Sequence, residues 1–197
     1  MLVSRIIYFA YVLFLVVFLL LVAFTPYIAF SDLGFAKSLY SAFGPFCHQK
    51  ISRSTCLFDG NGFSIGDCTN QTGEYVANDR ANISEARDGT VGYKFPVCSR
   101  DIGLYLFMLI GALTYPFVFR FDEKETLPPI LLILAIVPLA LDGTIQLLSD
   151  IGIVPFAYES TNFTRLWTGA IAGFVASFFV IPVLNKMFND EPKIKSH

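Results

Sequence analysis

The residues able to do chemistry in this 197-residue chain fall into a few short groups. Cys47-His48-Gln49 is followed by Arg53, and Cys98 by Arg100-Asp101. Asp142 is followed by Gln146, and Arg165 by Thr168. The i, i+4 spacing sets Asp142 and Gln146 on one helix face. A carboxylate can serve as general base, a thiol and an imidazole suit zinc, and guanidinium groups grip phosphate bidentately. The expected roles are catalytic for Asp142, Gln146, His48 and Asp101. They are substrate-binding for Arg53, Arg100, Arg165, Gln49 and Thr168. Cys47, His48 and Cys98 are the candidate metal ligands, with zinc the cofactor they suit.

These groups must be positioned by an unusually apolar chain. It is 54% hydrophobic and only 15% charged, with a mean hydropathy of +0.59, whereas soluble domains are about a quarter charged. That excludes a soluble enzyme and a disordered chain. The net charge of −2 offers no basic surface for nucleic acid. Four stretches, 6–30, 102–119, 129–149 and 166–188, have the length of about 20 apolar residues that a bilayer crossing requires. The first reads as a retained anchor, because its apolar core exceeds the roughly 7–15 residues of a cleaved signal. The expected fold is an all-α integral membrane protein, a single membrane domain over 1–197. It has four transmembrane helices, a short interfacial helix carrying Phe35, Leu39, Phe43 and Phe46, and a long irregular extracytoplasmic loop over 31–101.

Basic residues near the short flanks set the orientation. Arg5, Arg120, Lys124, Lys186, Lys193 and Lys195 place both termini in the cytoplasm of a cell-membrane protein. All four cysteines and the Asn70 and Asn82 sequons then lie outside, as does the Asn162 sequon in the other outer loop. An intramembrane carboxylate is costly and usually functional. Asp142 precedes Asp150 by eight residues, about 12 Å of helix below the outer surface. All the reactive groups reach this same outer boundary. Gly103, Gly111, Gly143, Gly169 and Gly173 would let the helices close around them. Tyr158 and Trp167 read as interfacial anchors.

Together the motifs resemble an uncharacterised family of predicted prokaryotic membrane proteins, domain of unknown function 2085. They are Cys47-His48-Gln49 with Arg53-Ser54, Pro96-x-Cys98-x-Arg100-Asp101-x-Gly103-x-Tyr105, Asp142-Gly143-x-x-Gln146 and Arg165-x-x-Thr168-Gly169. The resemblance implies a membrane protein and supplies no reaction.

Three functions compete. The first is a metal- or acid/base-dependent enzyme acting on a lipid or lipid-linked phosphate at the outer leaflet. The second is a thiol–disulfide redox protein, although no C-x-x-C pair is present to lower a thiol pKa. The third is a non-enzymatic subunit of a complex or transporter, in which an oligomer encloses a pathway lined by Asp142 and Gln146. The cysteines also admit plain disulfides, Cys47–Cys98 with Cys56–Cys68 or another of the three pairings.

Overall fold

A computed structural model describes residues 2–47, 51–60, 62–68, 84–87 and 90–189. Four helices are long and apolar enough to cross a membrane: α1 (Leu2–Ala29), α3 (Ser99–Val118), α4 (Pro129–Asp150) and α5 (Asn162–Asn189). The shortest, α3, has 20 residues, about 30 Å of rise and enough for the hydrocarbon core. Pro129 sits at the first helical position of α4, where its missing N–H leaves no intrahelical bond unmade. Helices α3 and α5 begin three or four residues before their apolar runs, so Arg100, Asp101 and Arg165 lie in helical first turns. Backbone hydrogen bonding continues outward where hydropathy stops, and this is what aims those charges.

Helix α2 (Leu33–Phe43) is capped by Asp32, whose carboxylate accepts the Phe35 N–H at 2.9 Å. Its expected apolar stripe is divided. Phe43 packs with Phe18 and Val22 of α1, while Phe35 remains exposed.

The connection between α1 and α3 is not irregular throughout. It carries an antiparallel sheet in the order β2-β1-β4-β3, formed by β1 (Thr55–Asp59), β2 (Phe63–Asp67), β3 (Ser84–Arg87) and β4 (Thr90–Lys94). The Cys56–Cys68 disulfide joins β1 to the residue after β2. Cys56 and Phe58 form the buried face of β1. The Phe58 ring lies over Gly92, where a Cβ would meet it at 2.4 Å. The strands are four or five residues long and rich in Gly, Ser and Asp, so two-residue periodicity in the sequence is faint.

Contacts between Arg100 and Gly169, Leu104 and Gly173, and Met108 and Ser177 advance by one helical step on both helices, so α3 and α5 run parallel. The Ser177 hydroxyl donates to Met108 O at 2.6 Å. Helix α1 runs antiparallel to α3, with the Tyr8 hydroxyl on Ala112 O at 3.0 Å. Helix α4 packs mainly on α5.

The glycines set how closely α3 and α5 approach. A Cβ on Gly173 would lie 2.0 Å from Leu104 O, and one on Gly169 2.1 Å from Arg100 O, both rigid backbone atoms. Gly173→Ala is therefore expected to destabilise the bundle by about 1–3 kcal/mol or more, as overpacking does. Gly143→Ala is the control, because its Cβ would meet only the Arg100 side chain, at 3.4 Å. Thermal unfolding of both variants in one detergent checks this. A Gly173→Ala midpoint equal to that of Gly143→Ala would contradict the tight contact.

Candidate functional site

The polar groups gather where α3 and α5 begin and α4 ends, beneath the sheet. Asp142, Gln146 and Asp150 form one stripe along the last turns of α4, at i, i+4 and i+8. Asp142 and Gln146 are buried. Arg100, from the first turn of α3, forms a salt bridge with Asp142 Oδ2. Tyr158 donates to Asp142 Oδ1 at 2.8 Å. Gly143 leaves room for the Arg100 guanidinium. Arg53 ends the 3₁₀ turn Ile51–Arg53 and pairs with Asp150 at 2.6 Å. The stripe thus carries an ion pair at each end and an amide between them.

Arg165 completes the cluster from the first turn of α5. It is 2% exposed, and its Nε, Nη1 and Nη2 have no hydrogen-bond partner among the described residues. Its guanidinium is close enough to Arg53 and Arg100 to feel their charge, with Glu159 and Cys98 as the opposing groups. Gln146 Nε2, Arg100 Nε and Arg53 Nε are also buried without partners. Native structures rarely leave buried donors unmet. Six such nitrogens on four side chains form a cradle of unmet donors at this end of the bundle.

The loop after α4 holds Tyr158 in place. Ser149 Oγ accepts the Tyr158 N–H at 2.7 Å and donates to Phe156 O at 3.2 Å. The hydrogen bond to Asp142, followed by burial, holds the Tyr158 phenol above its usual pKa. Tyr158 is thus more than an interfacial anchor, and no sequence signal distinguishes it from one. Asp150, the Arg53 partner, reads in the sequence only as the end of a span.

The sheet is fastened to this end of the bundle. Thr55 Oγ1 and Ser99 Oγ are 3.0 Å apart. Asn162 Nδ2 donates to Ser54 O and to Asp67 Oδ1, both at 3.0 Å. The Asn162 amide of the expected sequon therefore joins α5 to the sheet. Asn70 and Asn82 lie outside the described residues.

A second cluster stands beside the first. Asp101 follows Arg100 but turns to Cys98, whose Sγ is 3.1 Å from Asp101 Oδ2. The Cys98 N–H donates to Cys47 Sγ at 3.2 Å. No bond joins the Cys47 and Cys98 sulfurs here, whereas Cys56 and Cys68 form a disulfide, one of the bridges the sequence admits. Hydrogen bonding to Cys47, burial and the nearby Asp101 carboxylate all raise the Cys98 thiol above its usual range. A reactive redox thiol requires the opposite shift.

The single expected pocket thus resolves into an arginine cradle and a thiol–carboxylate group. Asp101 joins the thiols and not Asp142. Both Asp142 oxygens are engaged, an arrangement that orients a guanidinium. The Thr168 hydroxyl donates to Arg165 O at 3.1 Å within its own helix. His48 and Gln49 lie outside the described residues. A shallow cleft lined by Arg5, Phe119, Arg120 and Asp122 is at the opposite end of the bundle, away from this chemistry.

Residues 90–179 match the family model described as predicted membrane protein (DUF2085). The matched stretch contains Cys98, Arg100, Asp101, Asp142, Gln146, Arg165 and Thr168, and excludes Cys47, His48, Gln49 and Arg53. An uncharacterized protein of Methanocaldococcus jannaschii is 38% identical over 96 residues, 49% of this chain and 57% of its own length. An uncharacterized protein of Methanothermobacter thermautotrophicus is 39% identical over 84 residues, 42% of this chain and 66% of its own length. The chain thus spans less than two thirds of these relatives. No solved structure matches.

Proposed function

We propose that this membrane protein binds the phosphodiester head group of a lipid or lipid-linked molecule in the arginine cradle at the extracytoplasmic end of the bundle. The observation that carries this reading is Arg165, buried with every side-chain nitrogen unpartnered among the described residues. A buried charge is normally paired. Arg100 is balanced by Asp142 and Arg53 by Asp150, which leaves Arg165, among the described residues of the cradle, as the arginine without an ion-pair partner, its charge opposed only at longer range by Glu159. One positive charge matches the single negative charge of a phosphodiester better than the two of a monoester. Guanidinium groups present paired N–H donors that phosphate oxygens accept bidentately. Gln146 Nε2 adds a neutral donor from the next helix.

In this reading Asp142 and Tyr158 hold Arg100 in position, while Arg165 and Gln146 contact the anion. The cradle lies at the apolar boundary of the bundle, which favours a head group with acyl or polyprenyl chains over a free anion. Thiol cycling has less support, because the sequence offers no C-x-x-C pair.

The only tryptophan, Trp167, lies two residues from Arg165 and serves as the reporter. Purified protein titrated with short-chain phosphatidylglycerol is expected to show a saturable fluorescence change. Diacylglycerol should give none, and dimethyl phosphate, the free diester, should bind much more weakly. Arg165→Met is expected to weaken lipid binding by at least about 30-fold, corresponding to about 2 kcal/mol for a desolvated charge contact. Equal affinity for diacylglycerol, or unchanged affinity in Arg165→Met, would reject the reading. Tighter binding of dimethyl phosphate than of the lipid would replace it with a free-anion site.

A further inference from the structure

We infer that Cys47, Cys98 and Asp101 form a site for a borderline-soft divalent metal ion, with zinc the ion their donor set fits. The site stands on different residues from the arginine cradle and does not depend on it. The two Sγ atoms and a carboxylate oxygen all lie within 4.8 Å of one another. Zinc bond lengths of about 2.3 Å to sulfur and 2.0–2.2 Å to oxygen put the donors of a tetrahedral site roughly 3.6–3.8 Å apart. Cys98 Sγ and Asp101 Oδ2 are already closer than that, at 3.1 Å, so small rotations seat an ion among the three.

The chain converges on this point by construction. Cys98 stands at the N-cap position of α3 and Asp101 in its first turn, an i, i+3 pair that faces one way. Cys47 arrives from the segment after α2, its sulfur held against α3 by the Cys98 N–H. All three residues are half-buried, sheltered from solvent yet reachable by an ion. Asp101 supplies an oxygen donor that the sequence did not single out as a ligand, while His48, the expected imidazole, lies outside the described residues.

Redox chemistry adds a second argument. Cys56–Cys68 is oxidised in the same outer connection, so two neighbouring thiols there are exposed to the same oxidant. A bound metal keeps such a pair from bridging. On binding, both thiols lose their protons to solvent, and the ion carries two thiolates and one carboxylate. The three ligands found among the described residues leave a fourth zinc position for water, substrate or a further side chain.

The test uses the full chain, purified without reductant, stripped with a chelator and titrated with cobalt(II). The expected result is one cobalt per chain, with a thiolate-to-cobalt charge-transfer absorption that zinc abolishes. Cys98→Ser and Asp101→Asn should each weaken zinc binding by more than roughly 10-fold. The wild-type spectrum decides the matter even if a variant fails to fold. A wild-type protein without the charge-transfer band would overturn the inference. So would a band unchanged in folded Cys98→Ser, or a mass map showing Cys47 bridged to Cys98.

Discussion

Replacing Arg165 with methionine is expected to stabilise the lipid-free protein while removing most of its response to phosphodiester lipid. The two effects share one cause. Arg165 is 2% exposed, has no hydrogen-bond partner among the described residues, and faces the like charges of Arg53 and Arg100. Isolating such an ion from water costs several kcal/mol even after relaxation, and apolar groups of similar volume have replaced buried ionic groups with gains of about 1–4 kcal/mol. Methionine retains much of the length and volume of the side chain. A bound anion reverses the order. Wild-type protein gains about 2.7 kcal/mol when ligand is at 100 times its Kd, and a variant binding about 30-fold more weakly gains about 0.9 kcal/mol or less at the same concentration. Unfolding midpoints with and without phosphatidylglycerol check both halves. A lipid-free Arg165→Met protein less stable than wild type would mean that the guanidinium is satisfied within the protein itself.

Asp142→Asn is expected to do the opposite and lower stability by about 3–5 kcal/mol, because it leaves the Arg100 charge unpaired against the bundle. The Asp142 side chain is 5% exposed and that of Arg100 23%, so water screens the pair only partly. Tyr158 would also lose its carboxylate acceptor. Removing both charges in Asp142→Asn/Arg100→Gln should recover much of the loss, since double-mutant cycles expose the coupling between residues in contact. Unfolding of the three variants measures that coupling. Strictly additive losses would show that the pair does not act as a unit. Lipid binding should fall in Asp142→Asn as Arg100 loses its orientation, although the substituted atom never touches the lipid.

The membrane-spanning architecture is legible in the sequence because about 20 apolar residues must be continuous to cross a bilayer. The one-sided gathering of reactive groups is equally legible, since alternating spans return every second boundary to the same face. Cys98, Arg100, Arg165 and Asp142 all meet there. Partner choice within the cluster is not legible. Nothing in the order Arg100-Asp101 says that the first residue turns to α4 and the second to Cys98, because successive helical residues point about 100° apart. Tyr158 and Asp150 find their partners through the fold of a short loop and a distant turn. The sheet escapes notice because its strands are short and their buried positions include a lysine, Lys94, which breaks the apolar alternation. The glycine contacts are readable in part. Gly169 and Gly173 stand at helix-packing spacing, but their partners Arg100 and Leu104 emerge only once α3 and α5 are seen to run parallel.

The most direct test of the cradle is native mass spectrometry of protein extracted from its own membrane. Wild-type protein should retain one phosphodiester lipid per chain through detergent exchange, and Arg165→Met, folded and equally pure, should emerge without it. A wild-type chain that emerges free of any anionic adduct, or a variant that keeps the same lipid at the same occupancy, would contradict the account.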